Sequence, residues 1–388
     1  MRILASRSPG ETRAALLDED DRLVEMWVER ASPPGGVGDL HRARVSAAAP
    51  AMGGVFVALG GGETGLLLDK EAPGAAAGGR GLPEGRVLAV RVTRAAQGGK
   101  GPRVSARLSP GEEALAAAAE PGTAPRLLAR GPDAALRLAR AHPGATVETD
   151  GAALAARLRA ALGPGRVAFS PDRPVFDDAL EAEYEALLGP EAPLPGGGRI
   201  LVQPTAALTA MDVDAGSAAG GRDRRAQEGL NAAAVAEAAR QIRLRNLAGP
   251  ILLDLAGMGR RERGGLAAPL ARALAPDPLV RLLGLGPLGL FEMERRRVHP
   301  PLHEALGWPP SPLTHGLAAL RRAAREAAST PGRPRLALRV SPAVAAALEG
   351  AAEALRETAD AAGRALRLRA DPALAPGGET LEEYDDGG

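Results

Sequence analysis

The first 110 residues alternate apolar and polar positions in short runs. Arg13–Leu17, Leu23–Val28, His41–Ala47, Gly54–Ala58, Thr64–Leu68, Arg86–Val92 and Arg103–Leu108 read as strands. Gly-rich joints at Pro33–Gly38, Gly60–Gly62, Gly74–Gly81 and Gly98–Gly101 separate several of them. Such a series predicts a small barrel. The pattern then changes to alternating helix and strand. Helices are expected at Pro110–Ala119, Pro132–Ala139, Gly151–Leu162 and Phe176–Leu188, and strands at Arg126–Ala129, Thr146–Thr149 and Arg166–Phe169. Next come strands Arg199–Val202 and Leu208–Val213, a Gly/Arg-rich loop Gly216–Arg225 and a long helix Leu230–Arg245. A buried strand Ile251–Leu255, a helix Gly264–Leu274, a strand Leu279–Leu285 and a basic segment Phe291–Val298 complete this part. Trp308–Pro312 reads as a linker. Beyond it lie a helix, strand Arg335–Val340, helix Ala343–Ala362 and strand Ala365–Arg369, then a frayed acidic tail.

Composition narrows the chemistry. The 388 residues hold 48 Lys+Arg against 47 Asp+Glu, a net charge of +1, so any nucleic-acid surface must come from local segregation of charge. Cys is absent, which removes disulfides, thiolate zinc sites and cysteine nucleophiles. No apolar run approaches the ~20 residues of a membrane helix, and no targeting signal is visible. A cytoplasmic protein with no membrane partner is expected.

Three acids stand out. Asp212 and Asp214 lie two apart at the end of an apolar strand, so the strand period puts both on one face. Asp254 is the single charge inside Ile251–Leu255, and a lone ionised carboxylate there requires a cation or donors. If the two strands are neighbours, Asp212 and Asp254 can converge on one hard cation such as magnesium. A DxD at a strand end is by itself more often a turn or cap. The order strand–DxD, Gly/Arg loop, long helix, strand–Asp is what favours metal chemistry here.

With that order in view, the chain resembles the ribonuclease E/G family. The likeness rests on MDVDAGSAAGGR, AEAARQIRLRNLAGPILLDLAGM and LGLGPLGLFEMERRRVHPPLHE, with the key acids 254 − 212 = 42 residues apart. It is clear over residues 194–304 and weaker in the middle and tail. The fold the resemblance implies is a multi-subdomain α/β protein. An S1-type OB barrel (residues 34–108) is inserted in an RNase H-like region (1–33 and 145–190), with a shortened sensor-like segment at 109–144. A DNase I-like catalytic subdomain (191–308), a small C-terminal α/β domain (313–375) and the tail (376–388) follow.

The activity implied is magnesium-dependent cleavage of single-stranded RNA in processing or decay, by metal-activated water attack on the phosphodiester. Asp212 and Asp254 would hold Mg2+, or Mn2+ in its place, and Asp214, at a position usually Asn, would help orient the scissile phosphate. The barrel implies RNA contacts at Phe56 and Lys100. His41 is a substitute platform where two other aromatic positions are Leu59 and Leu66. Arg222, Arg243 and Arg245, with Arg224, Arg225 and Arg295–Arg297, are candidate phosphate contacts. Three departures matter. Gly257 replaces a second acid, no Arg-Thr pair for 5′-end sensing is found, and the missing cysteines exclude the zinc link between subunits. A homodimer without zinc, and no degradosome scaffold tail, are therefore expected. The alternative is a catalytically weak or inactive RNA-binding protein of the same fold.

Overall fold

A computed structural model describes residues 1–30, 36–73, 82–119, 122–216, 224–329, 335–363 and 365–384. The chain forms two units. One comprises Met1–Arg30, Ala134–Arg295 and Pro301–Gly388; the other comprises Ala31–Asp133 with Arg296–Pro300.

The second unit is the barrel. Strands Gly54–Ala58, Thr64–Leu68, Arg103–Ser105, Val87–Arg94 and Leu40–Ala49 follow one another, and Leu40–Ala49 also pairs with Gly54–Ala58, which closes the ring. Alternation fills it: Val45, Val55, Val57, Leu59, Leu67, Val90, Val92 and Val104 all point inward. Strand Arg126–Ala129 adds to the outside of Leu40–Ala49. Helix Pro110–Ala118 also belongs to this unit, capped by a reciprocal Ser109–Glu112 box. Residues 109–133 thus group with the barrel.

Among the described residues the first unit contains three sheets. A five-stranded sheet runs Val167–Phe169, Thr146–Thr149, Arg2–Ser8, Glu11–Leu17, Leu23–Arg30. A six-stranded sheet runs Glu191–Pro193, Arg199–Pro204, Thr209–Asp214, Gly249–Asp254, Phe291–Arg295, Val280–Leu285. Helix Arg224–Leu244 covers one face of the latter. Its buried residues Leu230, Ala234, Val235, Ala238, Ala239 and Ile242 recur at helical spacing, and the alanines let it lie close on Ile200, Val202, Met211, Val213, Ile251, Leu253 and Phe291. The opposite face of this sheet carries the polar positions.

The C-terminal part belongs to this same unit. An ionic network ties its helix Pro312–Ser329 to the five-stranded sheet. Arg13, 0% exposed, makes a two-pronged bond to Glu181 at 2.7 and 2.8 Å and lies 4.2 Å over the Phe176 ring. Arg325 reaches Glu181 and Arg321 reaches Glu11, each at 2.6 Å. The expected linker at Trp308–Pro312 is likewise packed, with Ser311 N–H bonded to the Leu306 carbonyl. The expected fraying of the tail is corrected over Thr380–Tyr384. Those residues form a strand antiparallel to Arg335–Val340, with Leu381 opposite Leu338 and Arg339 bonded to Glu382. Residues 385–388 lie outside the described residues.

Candidate active site

Strands Thr209–Asp214 and Gly249–Asp254 are parallel neighbours, and their register sets Asp212 directly opposite Asp254. Met211, Val213 and Leu253 turn into the core, so the period of two turns Asp212, Asp214 and Asp254 to the uncovered face. The two acids, 42 residues apart in sequence, thereby stand about 4.8 Å apart in strand spacing.

Their surroundings differ. Asp212 is exposed and has no hydrogen-bond or ionic partner among the described residues. Partial burial, then the charges of Asp254 and Asp214, push its carboxyl above the usual range. Asp214 is held below that range by the Gly216 N–H at 2.9 Å and by Arg199. The Arg199 contact is 2.9 Å, and the same guanidinium also reaches Glu191. Asp254 is bonded through Oδ1 to Arg263 Nη1 at 2.6 Å. Arg263 also donates to the Met258, Leu255 and Gly289 carbonyls at 2.9, 2.6 and 2.8 Å. Sequence reasoning missed Arg263 and Arg199. Arg263 lies nine residues beyond Asp254 on a separate helical turn, and nothing in its spacing announces the contact.

Gly257 sits at φ +55°, and a Cβ there would fall 1.7 Å from Gln227 Nε2. Asn231 donates to the neighbouring Ala256 carbonyl at 2.8 Å. An acid at position 257 would need this packing to move. The donor set is therefore two carboxylates, and among the described residues no group of three or more His, Asp or Glu converges. Oxygen-only donors of this kind fit a hard cation that keeps several waters, as magnesium does.

The barrel presents a different surface. Phe56 is opposite Leu66, Leu66 is opposite Arg103, and Arg103 is opposite Arg94. Phe56, Leu66 and Arg103 lie on the outward face, because their neighbours Val57, Leu67 and Val104 are buried, and Arg94 joins their row across a bulge that follows buried Val92. Partial burial and the nearby charges of Arg103 and Arg297 hold the Arg94 guanidinium below its ordinary value. Lys100 is exposed at a turn closed by paired Gln97 and Lys100 backbone bonds. The turn is fixed by Gly101, where a Cβ would fall 1.7 Å from the Thr64 carbonyl. Arg94 and Arg103 were not anticipated; their charge-bearing row depends on a non-local parallel pairing.

Several candidates are corrected. His41 is 0% exposed and its Nδ1 accepts the Gly60 N–H, so it is no base platform. Leu59 is a core residue of the barrel. Arg245 is 3% exposed, with its guanidinium on the Leu187 and Gly189 carbonyls and Gln241. Burial pushes it down to about 10, against the pull of Glu237. Arg243 is half-buried; against burial, the His142 and Trp27 contacts hold the Glu25 carboxyl down, and the Arg243 charge adds to them. Arg295 is buried against Asp277 at 2.7 Å and Arg297 is also buried, which leaves Arg296 exposed. Arg222 lies outside the described residues, and no side-chain placement is described for Arg224 or Arg225.

The Ribonuclease E/G family model matches residues 119–298. The chain is similar to ribonuclease E of Nostoc sp., 37% identical over 133 residues, which are 33% of this chain and 19% of that protein. It is similar to ribonuclease G of Salmonella typhimurium, 29% identical over 219 residues, 53% of this chain and 45% of that protein. To ribonuclease E of Escherichia coli it is 33% identical over 141 residues, 35% of this chain and 13% of that protein. The matched stretches thus span less than half the length of these relatives.

Proposed function

We propose that the chain is a ribonuclease E/G-type endoribonuclease cutting single-stranded RNA with a divalent ion, a reading supported by the family match over residues 119–298 and the likeness to ribonucleases E and G. The observation that carries this reading is Asp212 opposite Asp254 on parallel strands, with Asp212 lacking any partner among the described residues. Two like charges side by side, one of them uncompensated, are a standing demand for a cation. Asp212 and Asp254 would hold magnesium, with manganese as the alternative. When bound there, the ion supplies positive charge against a phosphate and acidifies water. Asp214, fixed by Arg199 and the Gly216 N–H, orients the scissile phosphate. On the barrel, Phe56 with Leu66 offers a base its apolar face, and Arg94, Arg103 and Lys100 attract the backbone. Single strands are preferred because stacking needs splayed bases.

Within this proposal the barrel is of S1 type, the five-stranded sheet is RNase H-like and the six-stranded sheet is DNase I-like. The chain acts in RNA processing or decay in the cytoplasm, and any homodimer forms without zinc. Purified protein, with and without magnesium, on an unstructured A/U-rich oligoribonucleotide tests the reading. Magnesium-dependent cuts, lost when the substrate is made duplex, are expected. The ion pair on Asp254 and the glycine at 257 favour a second reading, an RNA-binding protein of the same fold whose chemistry is slow or lost. Salt-sensitive RNA binding without any magnesium-dependent cut selects that reading.

A further inference from the structure

We infer that Arg263 is a positioning residue that holds one oxygen of Asp254 and, as a resident positive charge, sets the affinity of the Asp212–Asp254 pair for a divalent cation. The inference rests on the proposal that these two acids hold the metal. Four of the five N–H donors of Arg263 are committed: Nε to Met258, one Nη1 bond to Asp254 and another to Gly289, and one Nη2 bond to Leu255. Three of those acceptors are backbone carbonyls on two separate segments, so the guanidinium cannot follow the carboxylate or swing into solvent. Its side chain is 16% exposed, while that of Asp254 is 48% exposed. A half-exposed acid is thus tethered to a fixed, sheltered cation. The contrast with Arg199 is plain: that side chain is 45% exposed and divided between Asp214 and Glu191.

Two consequences follow. Asp254 Oδ1 is taken, so a metal approaches through Oδ2 or must share Oδ1 with Arg263. Any cation that binds also stands within a few ångströms of a guanidinium that cannot retreat, and like charges at that range repel. Nothing offsets this at position 257, where the residue is glycine at φ +55° and a side chain would have to displace the end of Gln227. Arg263 therefore keeps the site formed without metal, by neutralising one of two adjacent carboxylates, and makes it bind metal weakly.

Manganese titrations of the full chain, read by electron paramagnetic resonance, test this without reference to activity. Wild type, Asp212→Asn, Arg263→Gln and Arg263→Lys are compared. Expected is loss of the site in Asp212→Asn and a Kd about tenfold tighter in Arg263→Gln, with Arg263→Lys near wild type. Damage to the fold would weaken binding, so a tightened Kd separates a charge role from a merely structural one. Unchanged or weaker binding in Arg263→Gln, with the Asp212-dependent site intact in wild type, overturns the role of Arg263 alone. Equal binding by wild type and Asp212→Asn overturns the metal pair and this inference with it. Should Arg263→Gln melt early, the wild-type protein decides: magnesium must shift the Arg263 side-chain nitrogen resonances, and unmoved resonances refute the proposal.

Discussion

The six-stranded sheet and the barrel each leave one strand face open to solvent, and each face gathers like charges in register. On the sheet these are Asp212 and Asp254, one residue from each of two parallel strands. On the barrel they are Arg103 and Arg94, continuing a row begun by Phe56 and Leu66. Neither set is neutralised within its own row, and in both partial burial, followed by the neighbouring like charges, shifts an ionisation: Asp212 is pushed up and Arg94 down. The lesson is that strand register, more than sequence proximity, assembles both sites. One is left short of a cation and the other short of an anion, as the proposed cutting and holding of an RNA backbone would require.

Changes that touch one face should spare the other. Asp212→Ala or Asp254→Ala should lower the cleavage rate about 10³-fold, since the charge stabilisation lost is several kcal/mol and each 1.36 kcal/mol is tenfold. RNA affinity in gel-shift assays should stay near wild type; affinity falling with cleavage would break the comparison. Phe56→Ala should weaken RNA binding by about 5- to 150-fold, matching ~1–3 kcal/mol of stacking, with the rate at saturating RNA unchanged. Arg103→Gln should act more mildly. Plotting log affinity against log salt should show a slope shallower by about 0.7 for one phosphate contact on a single strand. An unaltered slope would mean that Arg103 touches no phosphate.

The smallest effect concerns pH. Burial, with Arg130 adding, keeps the His41 imidazole below its ordinary value against the opposing charge of Asp39. A histidine with a depressed folded pKa favours folding when neutral. Its contribution is complete above the unfolded value near ~6.5 and is lost as pH falls through the lower folded value. Amide protection in Leu40–Ala49 should therefore drop in mild acid. Both tryptophans, Trp27 and Trp308, lie in the other unit, so their fluorescence should remain steady over the same range. Parallel loss of both signals would contradict this.

Local pattern made much of this legible. Strands Gly54–Ala58, Thr64–Leu68, Arg126–Ala129 and Thr146–Thr149 fall where alternation and Gly joints placed them. Asp212 was visible as a charge at the end of an apolar strand, and Asp254 as the single charge inside another. Cationic residues were read poorly, because a long side chain declares its direction only through tertiary packing. Arg245 and His41 turned inward against carbonyls and a backbone N–H that no spacing rule names. For Arg295 and Arg297 the signal existed: they continue the inward parity of Phe291 and Met293. The Arg263 clamp was illegible because it depends on the Gly289 loop meeting the turn after Asp254.

A manganese-soaked crystal, read by anomalous scattering, tests the central claim most directly. The account predicts one strong peak between the strands, about 2.2 Å from a carboxylate oxygen of both Asp212 and Asp254. No peak there, or a peak bound by neither acid, would contradict it.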